Sequence, residues 1–190
     1  MNIGFDFDKV FINYPPLIPD GLVDFIYKGR IFKKNKREDG LSYRFPSLIE
    51  KKIRLFSHQL YFRHPIKSNI KALEKISREK GINTYLVSSR YSFLKDITSK
   101  ILEKNKLKQY FKGIYFNYEN SQPHLFKEET IKKLGIEKYI DDDLDLALYL
   151  SEKMPKLKIY WLNYKRQAKT RLPKNVIPIK NINEFLEKYI

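Results

Sequence analysis

Two carboxylates close the first apolar run of the chain. In Ile3-Gly4-Phe5-Asp6-Phe7-Asp8-Lys9-Val10 the acids occupy alternate positions. Alternate side chains of extended backbone share a face, so Asp6 and Asp8 are expected to point one way and Phe5 and Phe7 into the opposite layer. Two like charges that close repel, and burying them requires a metal, a shared proton or a cationic partner. Three further patterns follow in order. Thr84-Tyr85-Leu86-Val87-Ser88-Ser89-Arg90 reads as a strand ending in hydroxyls, and Phe126-Lys127-Glu128-Glu129-Thr130-Ile131 puts a lysine at an expected helix start. Lys138-Tyr139-Ile140-Asp141-Asp142-Asp143 is a short strand running into acids, with Asp145 just beyond. That cluster suits a hard cation, because carboxylate oxygens bind Mg²⁺, an ion that keeps several waters and also binds substrate phosphate.

Each pattern alone is weak, but their order and their placement at strand ends and helix starts are specific. Together they resemble the four motifs of the haloacid-dehalogenase-like superfamily. Asp6, Phe7, Asp8, Lys9 and Val10 match its first motif position by position. The resemblance covers residues 1 to about 150 and implies an aspartyl-phosphate mechanism. Asp6 would be the nucleophile, and Asp8 would protonate the leaving oxygen and later take a proton from water. A second acid two positions after the nucleophile marks the phosphatase branch. Ser88 and Lys127 would complete the catalytic set, Ser88 donating to a phosphoryl oxygen and Lys127 neutralising charge on the phosphoryl group and Asp6. Ser89 and Arg90 are further phosphate-binding candidates.

The family pattern implies Asp6, the main-chain carbonyl of Asp8, and Asp141 as Mg²⁺ ligands, with Asp142 acting directly or through water. A second registration, Asp141 with Asp145, also matches a family variant. Asp143 and Asp145 have an ordinary reading as the acidic opening of a helix. Ser88 has one as a helix N-cap, Lys127 as a solvated lysine and Arg90 as a surface residue. His58, His64 and His124 share no ligand spacing and read as structural or surface residues, although His64 lies beside Arg63 where the chain returns to the core.

These groups need a scaffold, and the periodicity supplies one. Strands are predicted near 2–6, 83–88, 113–117, 137–141, 157–162 and 176–179, with helices near 67–80, 91–105, 126–134, 143–153 and 181–189. Such alternation predicts an α/β fold, a three-layer α/β/α Rossmannoid core around a mainly parallel sheet. Gly81, Gly113 and Gly135 stand at helix-to-strand junctions, where left-handed caps are expected. The connection after the first strand is too long for a loop, so residues 14–65 are assigned to a helical insert and residues 1–13 with 66–190 to the catalytic core. Helices at 19–28 and 46–62 are expected in the insert, the second closed by Pro65. An insert there corresponds to the C1-type cap of the superfamily, which closes over the site and helps select substrate.

The chain has 190 residues, enough for one core with an insert but not for two full-sized domains. It contains no cysteine, which excludes disulfides and thiolate metal sites. Asp6 and Asp8 fall where the apolar region of a signal peptide would lie, and no run approaches the roughly 20 apolar residues of a membrane span. A cytoplasmic protein without membrane attachment is expected. The formal net charge of +16 favours anionic partners. Lys28, Arg30, Lys33, Lys34, Lys36 and Arg37 lie in the insert, and Lys165, Arg166, Lys169, Arg171 and Lys174 follow the fifth strand; both runs belong to the carboxyl edge of the sheet.

The combined reading is a Mg²⁺-dependent phosphatase acting on a phosphomonoester. Similarity to small 5'-nucleotidase-like members makes a nucleotide the leading substrate. The alternatives are an end-processing phosphatase acting on nucleic acid and a nucleic-acid-binding module without turnover, which salt dependence would separate from a mononucleotidase. Substrate identity and oligomeric state are not encoded in any pattern of the sequence.

Overall fold

The computed structural model describes residues 1–13, 41, 43, 45–163 and 171–190. Six strands form one sheet: β1 (Asn2–Phe5), β2 (Asn83–Ser88), β3 (Gly113–Phe116), β4 (Lys138–Asp141), β5 (Lys158–Leu162) and β6 (Val176–Ile179). Their spatial order is β3-β2-β1-β4-β5-β6, and every neighbouring pair is parallel. Parallel sheets carry helices on both faces, and here the strands are near-continuous apolar runs for that reason.

Alternation along each strand separates two cores. Ile3, Phe5, Leu86, Ile140 and Tyr160 pack with Leu73 and Ile76 of α2 (Lys67–Arg78) and with Phe185 of α6 (Ile182–Tyr189). Tyr85, Val87, Tyr139, Ile159 and Trp161 face Ile131 of α4 (Pro123–Lys133) and Leu146 and Leu150 of α5 (Leu144–Lys153). A 3₁₀ turn at Ser92–Leu94 leads into α3 (Lys95–Lys104), whose Ile101 and Leu102 join the first core.

The order of strands reverses direction between β1 and β4. After β1 the chain moves outward to β2 and β3, then crosses back to β4 on the other side of β1. Crevices outside the carboxyl ends of strands at such a switch point are where open parallel sheets bind ligands. Asp6 and Asp141 are placed at that point by register, because Phe5 pairs with Ile140 and the Asp6 amide donates to the Ile140 carbonyl at 2.9 Å.

The expected strands are all present, and the core helices differ from expectation mainly at their ends. Helix α4 starts at Pro123 rather than at 126, since proline is pre-organised for a first helical turn, so Lys127 sits one turn inside the helix and does not open it. Gly81 and Gly135 have the left-handed φ values of 81° and 58°, but Gly113 does not. It is the first residue of β3, where a Cβ would meet the Tyr115 ring at 2.8 Å.

Of the insert, residues 14–40, including the expected helix at 19–28, lie outside the described residues. The second helix is α1, Leu48–Ser57. A capping box between Ser47 and Glu50 starts it, and it stops at Ser57, well before Pro65. Past α1 the backbone returns to the core, where the Asn13 amide donates to the His64 carbonyl and the Ile66 amide to the Phe11 carbonyl, each at 2.8 Å.

Candidate active site

Three carboxylates converge at the switch point. One oxygen each from Asp6, Asp141 and Asp142 lies within 4.8 Å of the others, with Asp6 and Asp141 buried. The ammonium of Lys127 enters from α4 and stands 2.9 Å from Asp6 Oδ1 and 2.7 Å from Asp141 Oδ2. Lys9 approaches the third acid, with Nζ 3.4 Å from Asp142 Oδ2. Burial, reinforced by the charges of Asp141 and Asp8 and opposed by Lys127, pushes the Asp6 carboxyl up to about 7. Burial and then the neighbouring Asp141 push Asp142 well above the ordinary carboxylate range. Burial works against the Lys127 charge, but Asp141 and Asp6 outweigh it and hold the amine firmly protonated. A cluster with more acids than cations, all oxygen donors and strained by its own repulsion, is chemically suited to a hard divalent cation.

Asp8 has the opposite surroundings. β1 ends at Phe5, yet Phe5 and Phe7 share the first core as the alternation predicts, and the Asp8 charge acts on Asp6. Lys9 adopts a left-handed φ of 57°, the turn closes with its amide on the Ile12 carbonyl at 2.8 Å, and Asp8 meets two guanidiniums. Arg90 Nε donates to Asp8 Oδ2 at 2.8 Å and Nη2 to Oδ1 at 2.7 Å, and Arg63 Nη1 donates to Oδ1 at 3.2 Å. Burial alone would raise Asp8, but Arg90 and then Arg63 overcome it and hold the carboxyl well below the usual range.

Both arginines are themselves fixed. The Arg90 guanidinium lies 4.5 Å from the Phe7 ring centroid, and its Nη1 donates to Thr98 Oγ1 at 2.9 Å. Arg63 Nε donates to the Ser57 carbonyl at 3.1 Å, and Nη2 is 2.8 Å from His58 Nε2. Burial, followed by Arg63 and Arg90, drives the His58 imidazole well below its ordinary value, so it is neutral. Its Nδ1 is 2.7 Å from the Arg54 carbonyl, which assigns the ring proton to Nδ1 and leaves Nε2 to accept from Arg63.

No family model and no curated protein matches the chain. Solved structures do. An uncharacterized protein from Listeria monocytogenes serotype 4b superposes with a TM-score of 0.56 at 13% identity, over 98% of this chain and 94% of that one. A haloacid dehalogenase-like family hydrolase from Xanthomonas campestris superposes with a TM-score of 0.58 at 11% identity, over 98% of this chain and 92% of that one. The chain has a haloacid-dehalogenase-like fold.

Within that fold the residues singled out by sequence fall into three groups. Asp6, Lys127, Asp141 and Asp142 are brought together. Asp8 and Arg90 are joined to each other, with Arg90 spent on Asp8 and Thr98 and not standing open as a surface residue. Ser88 is buried at the carboxyl end of β2, inside the strand and not at a helix start, and Ser89 Oγ donates to the Pro123 carbonyl at 3.4 Å. Asp143 caps α5, accepting from the Asp145 amide at 3.0 Å, and Asp145 lies in the first helical turn, which leaves Asp142 as the acid grouped with Asp6 and Asp141. Lys28, Arg30, Lys33, Lys34, Lys36, Arg37, Lys165, Arg166 and Lys169 lie outside the described residues, while Arg171 and Lys174 are exposed.

Three contributors have surroundings that the sequence does not announce. Arg63, His58 and Lys9 are set by long-range packing and by one unusual backbone conformation. His64, the neighbour noticed in the sequence, is exposed, and Arg63 is the residue that turns inward. No helix among the described residues is long and apolar enough to cross a membrane.

Proposed function

We propose that this chain is a Mg²⁺-dependent haloacid-dehalogenase-like hydrolase of phosphomonoesters. The observation that carries the reading is the convergence of Asp6, Asp141 and Asp142 around Lys127 at the crevice between β1 and β4. Asp6 is the nucleophile. Its carboxylate oxygen attacks phosphorus, the bond from phosphorus to the leaving oxygen breaks, and a proton on Asp8 passes to that oxygen. Water then attacks the aspartyl-phosphate, gives a proton to Asp8, and the Asp6–phosphorus bond breaks to release phosphate. Arg63 and Arg90 favour the ionised form of Asp8, which the second half requires; the first half requires it to carry a proton.

Mg²⁺ held by Asp6, Asp141, Asp142 and the main-chain carbonyl of Asp8 would neutralise charge on the phosphoryl oxygens. Lys127 favours the ionised, attacking form of Asp6 against the burial that raises its carboxyl, and offers its remaining donor capacity to the phosphoryl group. Ser88, at the end of the adjacent strand, would donate to a second phosphoryl oxygen, with Ser89 and Arg90 bordering it. A nucleotide is the favoured substrate. The Phe45 ring, exposed and 5.0 Å from the ring of Tyr91, the residue after Arg90, would offer a base an aromatic surface.

Hydrolysis of a panel of phosphorylated metabolites, nucleotides and 5'-phosphorylated oligonucleotides, with Mg²⁺ and with chelator, tests the proposal. Release of phosphate that needs Mg²⁺ and vanishes in Asp6→Asn is expected. Turnover that survives Asp6→Asn would sink the mechanism, and selective turnover of oligonucleotides would favour the end-processing alternative.

A further inference from the structure

The acid two residues after the nucleophile is not left to solvent, and its surroundings divide its two oxygens. Among the described residues, Asp8 Oδ1 receives both Arg63 Nη1 and Arg90 Nη2, while Oδ2 receives Arg90 Nε alone. A carboxylate oxygen has two lone-pair directions, so Oδ1 is saturated and Oδ2 keeps one free to carry a proton. Arg90 comes from the loop after β2, within the core. Arg63 comes from the segment by which the insert rejoins the core, and it is 3% exposed. Its guanidinium also ties to the last turn of α1 through the Ser57 carbonyl and His58, and His58 is anchored in turn on the Arg54 carbonyl.

We propose that Arg63, oriented by His58, is a positioning residue that saturates Asp8 Oδ1 so that Oδ2 is the oxygen exchanging the proton with the leaving group, and that proton delivery thereby depends on how α1 is seated. This rests on the phosphatase reading above. Arg63 touches no reacting atom in this scheme. Its planar fork spans Asp8, His58 and a main-chain carbonyl at once, which the single ammonium of a lysine cannot do. Displacement of α1 carries Arg63 with it, frees Oδ1 and lets the carboxyl rotate. The insert therefore has a path to the chemistry made of hydrogen bonds, separate from any contact with substrate.

The test exploits the leaving group. A weakly basic leaving group departs without a proton, so p-nitrophenyl phosphate needs little general acid, whereas phenyl phosphate, of similar size, needs it more. Kinetics of wild type, Arg63→Met, Arg63→Lys, Asp8→Asn and Asp6→Asn are measured on both esters with Mg²⁺. In Arg63→Met, kcat on phenyl phosphate is expected to fall at least about tenfold more than kcat on p-nitrophenyl phosphate, with KM for both little changed. Asp8→Asn should show the same selectivity, and Arg63→Met added to Asp8→Asn should cost nothing further in that ratio, because both act through one proton. Arg63→Lys keeps a buried cation and should fold if Arg63→Met does not, yet it should retain the selective loss in weaker form. Equal losses on both esters in these variants would mean that Arg63 is merely structural and would overturn the proposal, while leaving Asp6-dependent hydrolysis intact. A wild type that is no better than Asp6→Asn on either ester would overturn the phosphatase reading and this role together.

Discussion

Asp6 and Asp8 are two residues apart, yet the protein has built contrasting environments for them. Around Asp6 the neighbours are acids, Asp141 and Asp142, with Lys127 and Lys9 too few to balance them. Around Asp8 the neighbours are cations, Arg63 and Arg90, with a neutral histidine behind. The first carboxyl is raised to about 7 and the second is held below its usual range. When two nearby acids are pushed apart in this way, the environments assign different work to identical groups. An acid-rich cluster is suited to an external cation, whereas an acid already held by guanidiniums has its orientation fixed from within.

The largest way to break that contrast is at Asp6, the proposed nucleophile. Asp6→Asn preserves volume but removes the attacking oxygen, so turnover should fall by about a thousandfold or more, roughly 4 kcal/mol in barrier. Single-turnover assays on folded protein decide it, and a loss within about tenfold would show that Asp6 does not attack phosphorus. The next largest effect is on stability. Lys127→Met leaves Asp6 and Asp141 buried without their shared cation, and breaking such an arrangement costs about 3–5 kcal/mol. Mg²⁺ should recover part of the loss, because a ligand bound only by the folded state stabilises it by mass action. Denaturant unfolding with and without Mg²⁺ measures both. In Asp141→Ala the metal-induced rise in Tm should vanish; an unchanged rise would put the cation elsewhere.

The acid-rich half was far more legible in the sequence than the cation-rich half, and the reason is physical. Asp6, Ser88 and Asp141 lie at the ends of strands whose apolar character and period announce them, and strand ends in a parallel sheet meet along one edge. Lys127 was found by its place in that series, although the helix around it begins at Pro123. Arg63 reaches Asp8 across 55 positions with no periodic cue, in a chain with 38 lysines and arginines. His58 matters through a ring proton that no spacing encodes. Lys9 was visible as a letter, but its left-handed backbone was not, because side chains rarely adopt that conformation without tertiary support.

A pH series separates the two carboxyls in the metal-free protein. For Asp6 the folded value, about 7, lies above the ordinary 3.8, so the folded state holds a proton that the unfolded state has lost between those values. Its contribution is fully present below about pH 4 and disappears as pH rises to about 7. Asp142 adds to the same trend. Asp8 has the reverse sign: its contribution is present above 3.8 and is lost only as pH falls below that value. Tm in chelator should therefore decline from pH 5 to pH 7.5, and Asp6→Asn should flatten the decline. A metal-free wild type whose Tm rises over that interval would contradict the acid-rich account of the cluster.

The smallest expected effect concerns the turn that follows the second acid. Lys9 holds φ at 57°, where a side chain costs about 1–2 kcal/mol and glycine is free of that cost but loses about 0.5–1 kcal/mol more in chain entropy. Lys9→Gly and Lys9→Ala both remove the ion pair to Asp142, a partly exposed contact with side chains 20% and 19% accessible, worth under about 1 kcal/mol. Only the alanine variant keeps the strained backbone. Glycine should thus exceed alanine in stability by up to about 1 kcal/mol, read from denaturant midpoints at equal slope. Both variants should bind Mg²⁺ more tightly by less than about tenfold, because each removes a cation beside Asp142 without altering the carboxylates. If alanine proves as stable as glycine, the left-handed turn is not under strain. The contrast between Asp6 and Asp8 would then rest on the side chains around them, Asp141 and Asp142 beside the first and Arg63 and Arg90 beside the second.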